Sequence, residues 1–361
     1  MIDKYLEELV ERQGSDLVLT AGAPPSLRVD GVLQPVGEER LTAELTQRIA
    51  EELLSPEQLA TFRRDLELDF SFGWRDRGRF RTNVFLQRGS FGLVLRLIPT
   101  RIPDMDWIGL PEAARRFADL PRGMVLVTGP TGSGKSTTVA SLLEHINQTR
   151  ACHIITIEDP IEYLHRHQKS IVEQRELHGD TQSFHRALRA ALRENPDVVL
   201  VGEMRDLETI GSAITVAETG HLVFATLHTN DAAQTVDRII DVFPTSQQQQ
   251  VRVQLAATLQ GVVSQLLLPR VGGGLVAAFE VLVANAAVRG QIREAATHQL
   301  RNTIMTGGNL GMQIMERSLV DLFRRGLITQ EEMFRVSIHP EDLRAFLAAD
   351  NQDRFGRTLR R

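Results

Sequence analysis

The chain has 361 residues, 42% of them hydrophobic and 24% charged, with a formal net charge of −5 and a single cysteine, Cys152. This length suggests about two domains, and the acidic balance speaks against a surface that coats nucleic acid. One cysteine excludes an internal disulfide and a four-cysteine zinc site. No apolar run approaches the ~20 residues of a spanning helix, so a cytoplasmic location is expected.

At the N-terminus, Ile2, Leu6, Leu9 and Val10 recur at helical spacing and predict a short amphipathic helix ended by Gly14. Asp16–Thr20 and Ser26–Val29 read as short strands with a turn at Asp30-Gly31. Helical sequence runs from Thr42 to about Leu54, and Ser55-Pro56-Glu57 marks the start of another helix. Residues 67–98 alternate apolar and polar positions, which predicts three antiparallel strands turning near Asp76-Arg77-Gly78 and Arg88-Gly89-Ser90. Residues 1–98 thus read as a small α+β domain, with 99–111 (beginning Pro99-Thr-Arg-Ile-Pro103) as the linker.

From Pro111 onward, strand and helix alternate, the pattern of a parallel α/β sheet. Strands are expected at 124–128, 153–157, 198–201, 222–227 and 276–283, with helices between them. Residues 112–284 form the expected core, 285–349 a helical C-terminal part, and 350–361 a basic, disordered tail. Within the core, the apolar run Met124–Val127 leads through Thr128 into Gly129-Pro130-Thr131-Gly132-Ser133-Gly134-Lys135-Ser136-Thr137 and then helix-forming sequence. This is a P-loop in its proper strand–turn–helix context. Its glycines permit positive φ, so that backbone N–H groups converge on phosphate oxygens, and the helix aims its positive end at the same anion. Lys135 is placed to reach the β/γ-phosphates of ATP, and Ser136 to ligate Mg²⁺.

Three further polar clusters follow apolar strands, where open α/β sheets gather their ligands. Glu158-Asp159-Pro160 ends the first, and a strand-end carboxylate there can orient and deprotonate an attacking water. Gly202-Glu203 ends the second. Glycine stands where the acidic residue of a Walker B strand usually does, so Glu203 is the candidate for the Mg²⁺ shell, through water. Glu158 and Glu203 both remain candidates for activating the water. His221 and His228 bracket the third strand, lying at its opposite ends. His228 suits a γ-phosphate sensor, and His221 is the second histidine assigned to the nucleotide.

The runs Gly129–Ser136, Thr156–Glu162, Gly202–Asp206 and Glu218–His221 with Thr226–Thr229 resemble, in order and spacing, the Walker A, Asp, Walker B and His boxes of the secretion-ATPase superfamily. Within it, the chain is most similar to the type IV pilus retraction ATPases over about residues 1–345. Ala287-Val-Arg289-Gly-Gln-Ile-Arg293-Glu294 keeps five of eight positions of that branch's C-terminal Ala-Ile-Arg-Asn-Leu-Ile-Arg-Glu box, and the four-cysteine insertion of extension ATPases is missing. Gly290-Gln291 and Val18 depart from the branch pattern.

The resemblance implies a PAS-like N-terminal domain, a RecA-like motor domain and a homohexameric ring with ATP at subunit boundaries. It also implies catalytic roles for Arg81 and Arg96. The expected activity is Mg²⁺-dependent ATP hydrolysis that drives pilus retraction at the cytoplasmic face of the inner membrane. The partner would be an inner-membrane platform protein, contacted by Arg289, Arg293 and Glu294. An accessory retraction ATPase and an extension or type II secretion ATPase are the nearest alternatives. A RecA-like DNA translocase is disfavoured by the absence of a basic, aromatic groove.

Overall fold

The computed structural model describes residues 1–348 apart from 30 and 76; the turn residues Asp30 and Asp76 and the C-terminal tail lie outside the described residues. The chain divides into two compact units. One comprises Met1–Arg101 with Pro160–Leu164, and the other Ile102–Asp159 with the chain from His165 onward.

The first unit contains α1 (Asp3–Glu11), β1 (Asp16–Thr20), β2 (Ser26–Val29), β3 (Val32–Pro35), α2 (Ala43–Leu53), α3 (Pro56–Asp65), β4 (Glu67–Trp74), β5 (Gly78–Gln87) and β6 (Ser90–Ile98). Its six strands form one antiparallel sheet in the order β3-β2-β1-β6-β5-β4. Ser55 and Gln58 close a capping box at the start of α3, with Pro56 in the first turn where its missing N–H costs nothing. Helix residues Leu6, Leu9, Ile49 and Phe62 pack with Leu17, Leu19, Phe80, Val84, Leu93 and Leu95 of the sheet. Because strand residues alternate in direction, Phe80 and Thr82 turn into this core, and Arg81 between them takes the other face.

The second unit continues with α4 (Glu112–Arg115), β7 (Gly123–Thr128), α5 (Lys135–Thr149), β8 (His153–Glu158), β9 (Ile171–Glu176), α6 (Phe184–Ala191), β10 (Val198–Val201), α7 (Leu207–Glu218), β11 (Leu222–Leu227), α8 (Ala232–Asp241), α9 (Thr245–Thr258), β12 (Leu259–Pro269) and β13 (Leu275–Val283). It closes with α10 (Ala286–Arg293), α11 (Leu300–Thr306), α12 (Met315–Arg324) and α13 (Gln330–Val336). The sheet order is β13-β12-β7-β11-β10-β8-β9, parallel throughout except for the antiparallel β12–β13 pair. The protein is therefore α/β with a mixed sheet. Met124 and Leu126 of β7 pack into the core on one face, and Val125 and Val127 into the core on the other. Burial on both faces is why these strands read as continuous apolar runs rather than alternating ones.

Three strands differ from expectation. β3 and β9 were not among those anticipated, and β12, an eleven-residue strand beside the P-loop strand, stands where helix was expected. Helix α9 passes into β12 at Leu259 with no turn residue between them. Gln260, Ser264 and Gln265 also interrupt the apolar run that would have marked a buried strand. Among the described residues, no helix is long and apolar enough to cross a membrane.

Glu280 of β13 is buried and accepts the backbone N–H of Ala232, the first residue of α8, at 2.8 Å. Burial raises its carboxyl from the ordinary 4.5 to about 7, because desolvation outweighs that hydrogen bond and the nearby Asp231 and Glu316 add repulsion. A folded-state value above the unfolded one means that the folded state holds the proton more tightly. The contribution of this group to stability is fully present below 4.5 and is lost as pH rises to about 7, roughly 3 kcal/mol at ~1.4 kcal/mol per pH unit. Glu280→Gln keeps the acceptor for Ala232 and removes the titration. Thermal melting between pH 5 and 8 should therefore show a flatter profile for the variant and a higher midpoint at pH 8. Parallel profiles for the two proteins would contradict this assignment.

Candidate active site

The loop from Gly129 to Gly134 joins the buried end of β7 to α5, and Gly129, Gly132 and Gly134 all adopt positive φ. At Gly129 there is also no room for a side chain, and at Gly134 one would displace the Gln265 amide. A Cβ on Gly129 would lie 2.3 Å from the Gln265 carbonyl oxygen, and one on Gly134 would lie 2.8 Å from Gln265 Nε2. Gly134 caps α5 in the left-handed conformation, so the loop turns sharply into the helix. Lys135 folds back over the loop, its Nζ donating to the carbonyls of Gly129 (2.8 Å) and Pro130 (3.1 Å). Desolvation lowers the pKa of this lysine, opposed by the nearby carboxylate of Glu203. Ser136 and Thr137 follow in the first turn of α5, with Ser136 exposed at the mouth of the loop.

Strand order explains what gathers around the loop. β11 lies between β7 and β10, so His228, just past β11, stands between the phosphate loop and Glu203, just past β10. The Nε2 of His228 is 2.9 Å from Glu203 Oε1, and its Nδ1 is 3.4 Å from the Thr131 hydroxyl. In the Nε2–H tautomer, Nε2 donates to the carboxylate and Nδ1 accepts from the Thr131 hydroxyl. Arg205 Nε donates to the same Glu203 oxygen at 2.5 Å.

Glu158 ends β8, the next strand over, and is buried. Its Oε1 accepts from Thr156 Oγ1 at 2.7 Å and from Gln174 Nε2 at 3.1 Å. The glycine in place of a Walker B acid has a steric cause. A Cβ on Gly202 would lie 3.0 Å from both Glu158 Cα and the Ile157 carbonyl oxygen, and Gly202 N–H donates to that carbonyl at 2.7 Å. A Cβ at 202 would need these neighbours to give by a few tenths of an ångström, and the strand-end charge is carried by Glu203 instead.

His221 is not brought to the loop. It precedes β11, its carbonyl accepts Gly123 N–H at 2.9 Å, and its Nδ1 lies 3.0 Å from the Val216 carbonyl oxygen. Six strand residues separate it from His228, about 20 Å at ~3.3 Å per residue. It cannot touch a phosphate held at Gly129–Ser136 of the same chain, and its contacts are those of a helix-to-strand corner.

Arg81 and Arg96 belong to the first unit, where they are paired directly across β5 and β6. The Nε of Arg96 donates to Asp16 Oδ1 at 2.8 Å. Arg289 turns inward, donating to the carbonyls of Ala256 (2.6 Å) and Ala257 (3.0 Å) at the end of α9. Arg293 and Glu294 are exposed at the end of α10.

Sequence reasoning missed Thr156, Gln174 and Asp16. Thr156 was findable, since i and i+2 share a face of a strand. Gln174 and Asp16 act across strand pairings that no local pattern announces.

Comparison with known proteins gives the same answer as the loop chemistry. Residues 1–337 match the family model described as Type II/IV secretion system protein. The chain is 48% identical to the type IV pilus retraction ATPase PilT of Pseudomonas aeruginosa, over 94% of this chain and 99% of that protein. It is 47% identical to a twitching motility protein of Neisseria gonorrhoeae, over 88% of this chain and 86% of that one. The crystal structure of the pilus retraction motor PilT with bound ADP superposes with a TM-score of 0.88 at 48% identity, covering 95% of this chain and 98% of that one. With the family model spanning nearly the whole chain and a P-loop at the C-terminal ends of the parallel strands, near Lys135, Glu203 and His228, the chain belongs to the Type II/IV secretion system protein family and is an ATPase.

Proposed function

We propose that the protein is the ATP-hydrolysing motor of type IV pilus retraction, acting as a ring of six copies on an inner-membrane platform protein. The observation that carries the reading is the chain of contacts from the phosphate loop through His228 to Glu203, which gives one site the means to hold a triphosphate and sense its last phosphate. High identity to a retraction ATPase over the full chain, and to a twitching motility protein, supports retraction over extension. The first unit is read as PAS-like, which the strand order β2-β1-β6-β5-β4 supports, and the second as RecA-like.

The chemistry follows from the residues. Loop N–H groups and the start of α5 receive the phosphates. Lys135 exchanges its two carbonyl partners for phosphate oxygens, so its charge is already in place when the nucleotide arrives. The Ser136 hydroxyl and the Glu203 carboxylate are hard oxygen donors and fit Mg²⁺, which when bound neutralises charge on the β- and γ-phosphates. His228, already poised between Thr131 and Glu203, reports the γ-phosphate. Glu158, held by Thr156 and Gln174, orients the attacking water and accepts its proton. Closure on ATP and reopening after release convert these steps into movement of rigid bodies.

Lys135→Ala should abolish hydrolysis, because the phosphates lose a fixed counter-charge in a desolvated site. Glu203→Ala should stop turnover yet keep most nucleotide binding. Hydrolysis above a few per cent in the first variant, or equal loss of binding in the second, would break this division of roles. In cells, deletion of the gene should leave hyperpiliated, non-twitching bacteria, whereas bald cells would indicate an extension motor.

Arg81 and Arg96 are proposed to act on the triphosphate of a neighbouring copy. An arginine supplied in trans contributes ~10³–10⁵ in rate, whereas a surface ion pair contributes about 0–1 kcal/mol to stability. Mixing Arg96→Ala protein with Lys135→Ala protein should restore some hydrolysis, since mixed interfaces carry both intact groups. Near-normal activity of the Arg81→Ala and Arg96→Ala single variants would rule the role out.

For the platform, Arg293 and Glu294 are the cleaner probes, because Arg289 also caps α9. Alanine at 293 and 294 together should keep ATPase activity and abolish retraction. Collapse of hydrolysis would instead assign them to the ring or the active site.

A further inference from the structure

We propose that Gln265 is a positioning residue for the phosphate loop, its side-chain amide holding the last glycine of the loop and the first turn of α5 in the phosphate-binding shape while its backbone carbonyl packs against the first. The proposal rests on the reading of Gly129–Ser136 as the phosphate cradle. β12 runs parallel to β7 with Ser264 opposite Thr128, so Gln265 lies alongside Gly129, where the loop begins. Gln265 is buried, at 3% exposure.

Three contacts converge on it. Its carbonyl oxygen fills the space a Gly129 Cβ would need, at 2.3 Å. Its Nε2 does the same at Gly134, at 2.8 Å, so the first and last glycines of the loop both close onto one residue. Its Oε1 accepts a hydrogen bond from Thr138 Oγ1 at 2.7 Å, with Thr138 fully buried. Thr138 is one turn into α5, and its N–H donates to the Gly134 carbonyl at 3.0 Å. The amide thus joins β12 to the helix whose N-terminal end faces the phosphate, while its flank sets the path of the loop. Alongside it, Thr128 Oγ1 donates to Ser264 Oγ at 2.9 Å, a second side-chain tie between β7 and β12.

A buried polar side chain is costly unless its partners are satisfied, and an apolar residue would fill this space. What an amide adds is direction: a single geometry that fixes Thr138 and, through it, the helix start. Gln265 need not touch the nucleotide. Its effect should appear in nucleotide affinity rather than in the chemical step, because the cradle of N–H groups is what it holds.

The test uses the full chain and a fluorescent ADP analogue in equilibrium titrations, with melting of the nucleotide-free protein measured in parallel. Gln265→Leu keeps the bulk and removes the amide, Thr138→Val removes the hydroxyl at equal size, and Thr138→Ser restores it. Gln265→Leu and Thr138→Val should each weaken ADP binding about tenfold or more and raise KM for ATP. Thr138→Ser should bind like the native protein. The double variant Gln265→Leu/Thr138→Val should lose little beyond either single change, because both act through one contact. Unchanged affinity in Thr138→Val overturns the proposal, as does a lowered melting midpoint with unchanged affinity. Should Gln265→Leu fail to fold, the Thr138 pair decides alone. Lys135→Ala is the control: if it binds ADP normally, the phosphate-cradle reading fails, whereas its loss beside normal Thr138→Val binding isolates the failure to Gln265.

Discussion

Close approach of backbone to backbone within two pairs of neighbouring strands, β7 with β12 and β10 with β8, is the constraint from which the site is built. Gly129 lies against the carbonyl of Gln265, and Gly202 lies against Glu158 Cα and the Ile157 carbonyl. The first leaves no volume for a Cβ, and the second leaves less than ordinary contact distance. The first lets the loop curl over the end of β7 so that its N–H groups share a centre. The second shifts the Walker B charge one residue on, to Glu203, where it meets His228. Gly129 therefore does two jobs, a conformational one at positive φ and a steric one where strands nearly touch, whereas Gly202 does only the second.

The charges at the site are arranged in advance of any ligand. Lys135 is largely buried with its ammonium held by two loop carbonyls, and Glu203 is held by Arg205 and His228. Burial disfavours the charged lysine, and Glu203 opposes that effect. On the proposed reading, an arriving polyphosphate would offer Lys135 a stronger acceptor than a carbonyl, and binding would relieve a cost that the folded protein already bears. Such a site discriminates in favour of anions with little reorganisation, which is what electrostatic catalysis requires.

How much of this was legible depends on whether the signal was local. The phosphate loop, Glu158, Glu203 and His228 were readable because each sits where an apolar run ends, and the parallel sheet turns that position in sequence into one position in space. β12 was not readable. Its polar residues, Ser264 and Gln265, face Thr128 and Thr138 across more than a hundred residues of chain, so the run looks broken although the strand is continuous. His221 shows the opposite error: its place in a motif suggested the nucleotide, while strand direction carries it to the far edge. Arg289 resembled a surface contact residue because its partners are backbone carbonyls at the end of α9, which have no signature in sequence.

The same reasoning applies to the arginines of the first unit. Register places Arg28, Asp16, Arg96 and Arg81 in one row across β2, β1, β6 and β5. One carboxylate thus stands among three guanidinium groups, with Asp16 buried between Arg28 (3.6 Å) and Arg96 (2.8 Å). Arg96 remains 66% exposed despite its ion pair, so the pair fixes the base of the side chain's reach without burying its charge. Like charges side by side across a pair of strands are unfavourable, and a salt bridge this exposed contributes little to stability. Stability alone therefore gives no reason to concentrate positive charge in this row. An anion brought to that face would find the guanidinium groups of Arg28 and Arg96 already held by Asp16.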